Sequence, residues 1–169
     1  MRRMFHGAAW STFLLMLAML ASCASAPRFD TDGINQALTP QSAAAQASGD
    51  MGNRVIWGGT IVAAHNETQY TELEVLAYPL DGSQRPRLGQ RPEGRFRARW
   101  NGYLETADYA PGRQLTVKGS LLAPVAGTVG EAGYVFPVVA AEQLELWSQA
   151  PASGGRPNVH FGIGVVIGN

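Results

Sequence analysis

Three separate stretches of the chain alternate apolar and polar residues with a period of two, and this pattern restricts the fold more than any other feature. From Tyr70 to Tyr78, Thr71, Leu73, Val75 and Ala77 share one face, while Tyr70, Glu72, Glu74 and Leu76 share the other. A strand places successive side chains on opposite faces, so this is a half-buried strand with two carboxylates outside. From Gly94 to Asn101, Phe96, Ala98 and Trp100 face one way and Arg95, Arg97 and Arg99 the other. From Arg113 to Leu121, Leu115, Val117 and Leu121 share a face with Gly119, leaving Gln114, Thr116, Lys118 and Ser120 to solvent. Val55 to Ala63 is apolar on both faces and carries Gly58-Gly59 at its middle, which predicts a central strand with a bulge or sharp bend. Tyr134 to Ala140 and Gln143 to Trp147 bring the set to five or six short strands, and the loop around Arg85-Pro86 and Arg91-Pro92 joins the first two. No long helical period interrupts them. The expected fold is all-β: a small closed or partly open antiparallel barrel similar to an OB-fold, preferred to an open sandwich, with Trp57 and Trp100 in its core.

The barrel is preceded by a stretch of different chemistry. Arg2 and Arg3 are followed by an uninterrupted apolar run from Phe13 to Ala21 and then by Ser22, Cys23 and Ala24. A membrane span needs about 20 apolar residues, so this shorter run reads as a cleavable export leader. Leu20-Ala21-Ser22-Cys23 has the form of a lipobox, with cleavage between Ser22 and Cys23 and a covalent lipid, palmitate among its chains, on the new terminus. Two or three chains on one cysteine make an effectively permanent anchor. Cys23 is the chain's single cysteine, so the domain that follows has no disulfide and is held by its core alone. The expected organisation is a signal peptide at 1–22, a lipidated terminus and flexible tether with a short helix at 23–52, the barrel at 53–148 and a Gly-rich tail at 149–169. The tether expectation rests on Ala, Ser and Gln composition; the helix rests on Thr39, Pro40 and the alanines ending near Gly49.

Charge excludes one class of partner. The chain has 13 basic and 13 acidic residues, and without Arg2 and Arg3 the balance is 11 against 13, a net charge of −2. A nucleic-acid binder needs a strongly basic surface, so none is expected. Ala24 and Ser25 follow the cysteine where Asp would favour retention in the inner membrane, so delivery is expected to the outer membrane, with the domain facing the periplasm.

Several separated motifs carry a family resemblance. They are Trp57-Gly58-Gly59 with Ile61 and Asn66, Thr71, Glu74-Val75, Tyr78-Pro79-Leu80, Gly94-Arg95-Phe96, Tyr109-Ala110-Pro111-Gly112-Arg113, Leu115-Thr116-Val117, Gly130-Glu131, Tyr134, Pro137-Val138 and Leu146-Trp147. In this order, behind a lipobox, the sequence resembles the Slp family of outer-membrane lipoproteins, the starvation-inducible lipoproteins, over most of the mature domain. One departure is Glu105-Thr106 after Tyr103-Leu104, where the family often has Asp-Pro. The resemblance implies an envelope lipoprotein linked to starvation or stress, with no catalytic residue to carry over.

The side chains themselves point to little chemistry. After the leader the chain keeps His65 and His160, no thiol besides Cys23 and no GxSxG elbow, so no metal site, cofactor or hydrolytic triad is expected. The tail Gly162-Ile163-Gly164-Val165-Val166-Ile167-Gly168 imitates a dinucleotide fingerprint, but no helix follows it in the sequence, and it reads as an alternating-Gly edge strand. Glu72 and Glu74 are placed two apart on one strand face, where they are solvated alike rather than driven apart as an acid–base pair. Arg95, Arg97 and Arg99 are the one constellation suited to a ligand, because guanidinium forks match phosphate and carboxylate groups. An anionic envelope polymer, lipid A phosphates or an acidic protein would be the partner, while neutralisation by Glu72 and Glu74 is the plainer alternative. Tyr103, Tyr109 and Trp100 could add a stacking surface of the kind OB-like barrels use, but aromatics that alternate with polar residues on strands are usually core, and Trp100 is assigned there.

Overall fold

The computed structural model describes residues 28–46 and 49–148. Five strands form a closed barrel: β1 (Arg54–Asn66), β2 (Tyr70–Tyr78), β3 (Arg95–Asn101), β4 (Gln114–Val129) and β5 (Ala132–Leu146), in the order β1-β2-β3-β5-β4. All pairings are antiparallel except β3 with β5, which is parallel. Closure removes the free sheet edges and gives the expected small closed barrel, with one parallel pairing where a wholly antiparallel sheet was expected.

The alternation in the sequence decides which side chains fill it. Val55, Trp57, Ile61, Leu73, Val75, Phe96, Leu115 and Val117 meet in one buried cluster, with the Trp57 and Phe96 rings edge to face at 5.4 Å. Aromatic pairs prefer that geometry because a ring's positive edge meets the other's negative face. Gly59 and Gly119 permit the strands to close upon one another. A Cβ on Gly59 would strike the Leu76 carbonyl oxygen, and one on Gly119 the Ala140 carbonyl oxygen. The bend expected in β1 occurs as a register shift between Ile61 and Ala63, just past the glycine pair.

Three expectations are corrected. The two strands read at 134–140 and 143–147 are one 15-residue strand, β5, kinked where its pairing with β4 shifts between Lys118 and Gly119. A bulge bends a strand without ending it, and the polar residues at the kink give the impression of a turn. Trp100 is half-buried near the end of β3 rather than in the core. Thr116 and Lys118, read as solvent-facing on β4, are buried at 0% and 7% exposure.

The cause of the last correction lies in the segment before β1. Residues 23–52 read as a tether, yet from Arg28 onward the segment packs on the barrel as a strap. Phe29, Leu38 and Ala43 are buried, and Leu38 and Ala43 belong to the same cluster as the barrel interior. The strap is fixed by named bonds. Phe29 N donates to Gln84 Oε1 at 2.7 Å and Gln84 Nε2 donates to Phe29 O at 2.8 Å. Ile34 bridges Arg54 in parallel, with Asn35 N donating to Arg54 O at 2.9 Å, and Trp57 Nε1 donates to Leu38 O at 2.8 Å. The short helix α1 (Pro40–Gln46) then packs against β5 and β3. Its start has the expected cap: Thr39 Oγ1 accepts from Ser42 N at 3.2 Å while Ser42 Oγ accepts from Thr39 N at 3.0 Å, with proline at the first helical position.

Candidate functional site

Cys23 and Ser22, the expected lipidation and cleavage positions, lie outside the described residues, as does the whole 149–169 tail with its glycine repeat. Arg95, Arg97 and Arg99 do share the outer face of β3, and the register sets them against β2, with Arg97 opposite Glu74 and Arg99 opposite Glu72. The ion pairs run diagonally and directly. Arg95 Nη1 donates to Glu74 Oε1 at 2.6 Å, Arg97 Nη1 to Glu72 Oε1 at 3.0 Å and Arg99 Nε to Glu72 Oε2 at 2.8 Å. Aromatic faces hold two of the guanidiniums as well: Arg97 lies 4.4 Å above the Phe136 ring centroid and Arg99 5.0 Å above that of Tyr70. Such stacking suits the planar, weakly hydrated guanidinium. Three cations thus meet two carboxylates in a half-buried ladder. A ligand recognised there would have to compete with Glu72 and Glu74, and both carboxylates are occupied as acceptors.

On another side, the strap and the β2–β3 loop (79–94) enclose an open cleft of about 410 Å³. Ile34 and Leu38 of the strap, Ile56 of β1 and Leu80 form much of its apolar wall, and Asp81 and Glu93 bring carboxylates to it. Their states differ for physical reasons. The Ser83 hydroxyl, helped by the Arg85 and Ser83 amides, holds the Asp81 carboxyl below its ordinary value, whereas burial pushes Glu93 up. Glu93 has no hydrogen bond or ion pair from its carboxyl among the described residues. With no basic side chain in its lining among the described residues, the cleft is suited to a neutral or cationic group rather than an anion.

Gln84 links these features. It is the one non-glycine among the described residues with φ in the left-handed region, at 66°, and it is buried. That conformation disfavours a residue with a Cβ, so the bonds it permits must offset the strain. Besides clasping Phe29, Gln84 offers its carbonyl to Thr116 Oγ1 at 2.7 Å, and Thr116 Oγ1 in turn accepts from Trp147 Nε1 at 2.9 Å. Lys118 Nζ donates to Asp30 O at 2.7 Å. The polar residues of β4 therefore anchor the loop and strap. A sequence signal for this arrangement existed in Phe29, Ile34 and Leu38, large apolar residues in a segment otherwise rich in small and polar ones.

Several motif residues prove to be fasteners. Thr71 Oγ1 donates to Asn66 Oδ1 at 2.6 Å and accepts from Leu104 N at 2.9 Å, fixing the chain after β3. Tyr134 Oη accepts from Arg95 N at 2.9 Å and stacks edge-on against Phe136 at 4.7 Å. Of the aromatics considered for stacking, Tyr103 is 69% exposed and Tyr109 is half-buried against the core. His65 is exposed on β1, and no cluster of three metal-ligating side chains occurs among the described residues.

Comparison with known proteins agrees with this distribution of motifs along the barrel. The outer membrane lipoprotein Slp family matches residues 20–162, which take in the strap and the whole barrel. The chain is 31% identical to the uncharacterized lipoprotein YeaY of Escherichia coli over 146 residues, covering 86% of this chain and 74% of that protein. It is 27% identical to the outer membrane protein Slp of the same species over 132 residues, covering 76% and 69%. An uncharacterized protein of Haemophilus influenzae is 33% identical over 92 residues, about half of either chain. A match over residues 20–162, running through all five strands, means that the chain belongs to the Slp family of outer membrane lipoproteins.

Proposed function

We propose that this chain is a non-catalytic envelope component, anchored in the outer membrane by lipid on Cys23, facing the periplasm, and contributing to envelope integrity or to starvation and stress tolerance. The observation that carries the reading is the placing of the chain's single thiol at the end of an export leader in a member of a lipoprotein family. The distribution of polar side chains supports the absence of catalysis: Glu72 and Glu74 are tied to arginines, and Thr71, Gln84, Thr116 and Lys118 hold loops in place.

The test is membrane fractionation with mass analysis of the mature terminus, wild type beside Cys23→Ser. The reading expects an acylated Cys23 in the outer-membrane fraction and release or mislocalisation of the variant. Recovery of both as free periplasmic protein would contradict it. A second reading, recognition of an anionic envelope polymer or acidic partner by Arg95, Arg97 and Arg99, is favoured by the one guanidinium in excess over the ladder's carboxylates. Titration of the protein with lipopolysaccharide and muropeptides, against an Arg97→Glu control, tests it; equal binding by the control counts against that face.

A further inference from the structure

The strap changes the distance between lipid and barrel. Were 23–52 a loose coil, the domain would hang from a flexible linker of some thirty residues. Instead the segment is packed on the barrel from Arg28 onward, so at most residues 24–27 separate Cys23 from a fixed position. Five chain steps reach at most about 18 Å, against roughly 50 Å for a 15-residue strand such as β5. With so short a link, the part of the surface carrying Arg28 must lie near the headgroups whichever way the rest of the barrel turns.

That surface has a defined chemistry. Arg28 donates to Glu145 at 2.7 Å and its guanidinium lies 5.5 Å from the Trp147 ring centroid. Arg85, from the β2–β3 loop, lies 5.6 Å from the same centroid and donates to Gln114 Oε1 and Ser148 O, both at 3.2 Å. The Arg28 side chain is 56% exposed, and Trp147 and Arg85 are partly exposed. Tryptophan rings concentrate at bilayer interfaces, and guanidinium forks match phosphate oxygens. The Trp147 N–H is held by Thr116 Oγ1, so it is the ring and the two guanidiniums that this surface offers. Net charge is not the attraction: Asp30 and Asp32 on the strap are exposed as well, and Glu145 pairs with Arg28. What remains is a ring flanked by two phosphate-matched cations, placed where the anchor keeps the local lipid concentration high.

We infer that Trp147, Arg28 and Arg85 form a seat on which the barrel rests against phospholipid headgroups, an inference that rests on acylation of Cys23. The test uses the full mature lipoprotein reconstituted into vesicles of phosphatidylethanolamine and phosphatidylglycerol. Lipid bearing a quencher high in the acyl chain is compared with aqueous iodide, and a Trp147→Phe variant subtracts the emission of Trp57 and Trp100. The Trp147 part of the emission is expected to be quenched by the labelled lipid and shielded from iodide. An Arg28→Ala/Arg85→Ala variant, which keeps all three tryptophans, is expected to lose most of the lipid quenching. If protein floats with the vesicles while Trp147 stays open to iodide and blind to the labelled lipid, the seat is wrong and the anchor stands. If the protein does not float and its terminal peptide carries no acyl mass, the reading of Cys23 and the seat fall together.

Discussion

The outer face of β2 and β3 and the outer face of β4 have the same pattern in sequence and different fates in the fold. Both alternate apolar residues with polar or charged ones, and both point the apolar set into the barrel. On β2 and β3 the outward residues neutralise one another, Arg95 with Glu74 and both Arg97 and Arg99 with Glu72, and remain partly in water. On β4 the outward Thr116 and Lys118 form no ion pair, although Glu145 stands opposite Thr116 in the register, and instead donate to the carbonyls of Gln84 and Asp30 beneath the loop and strap. The difference teaches that a period of two fixes the direction of a side chain but not what lies above it. A polar row whose charges pair with one another can stay open; a row of hydrogen-bonding groups that forms no ion pairs is available to hold another segment.

The comparison predicts unequal sensitivities, the covered face being far the more costly to damage. Phe29→Ala should produce the largest effect, about 3 kcal/mol of stability, because a buried aromatic leaves a cavity that a short strap cannot refill. Denaturant unfolding measures it, and a loss no greater than that of an exposed-site control such as Tyr103→Ala would mean that the strap is not part of the cooperative unit. Gln84→Gly isolates the clasp: it removes both bonds to Phe29 while relieving the left-handed backbone, so the net loss should be smaller, roughly 1–2 kcal/mol.

On the open face, Glu72→Gln should cost less than about 1 kcal/mol, and the cost should shrink at high salt, since partly exposed ion pairs are screened. A large salt-independent loss would show that the two faces are alike after all. The smallest effect concerns Glu93 beside the strap. Burial raises its carboxyl above the ordinary value of 4.5, so folding favours the protonated form and that contribution is lost as pH rises through the folded-state value. Glu93→Gln should therefore raise the melting temperature slightly at neutral pH and lose that advantage below about pH 4. A variant that melts lower at neutral pH would reverse the sign.

These two faces also mark how far the sequence could be read. Inward residues of β2, β3 and β4 were legible because Leu73, Val75, Phe96, Leu115 and Val117 repeat at a spacing that only a strand satisfies. The arginine–glutamate ladder was legible as an alternative, since equal spacing on neighbouring strands brings such charges together. The continuity of β5 was not, because a bulge at the level of Glu142 interrupts the alternation without interrupting the strand. The strap was only hinted at: Phe29, Ile34 and Leu38 are large apolar residues in a small and polar segment. Their packing depends on contacts between residues far apart in the chain, such as Phe29 with Gln84 and Leu38 with Trp57, and local composition does not name the distant partner. Gln84 belongs to the same class, because nothing local distinguishes a glutamine that will adopt positive φ.

The central claim is that residues 28–46, ahead of β1, are part of the folded barrel rather than a leash. Amide hydrogen exchange on the native protein tests it directly, because Phe29, Asn35 and Gln41 each donate their amide to the barrel or its loop, to Gln84 Oε1, Arg54 O and Glu93 O. Protection of these three amides approaching that of β1 is the expected result. Exchange at unfolded-chain rates across 28–46, while β1 to β5 stay protected, would contradict it.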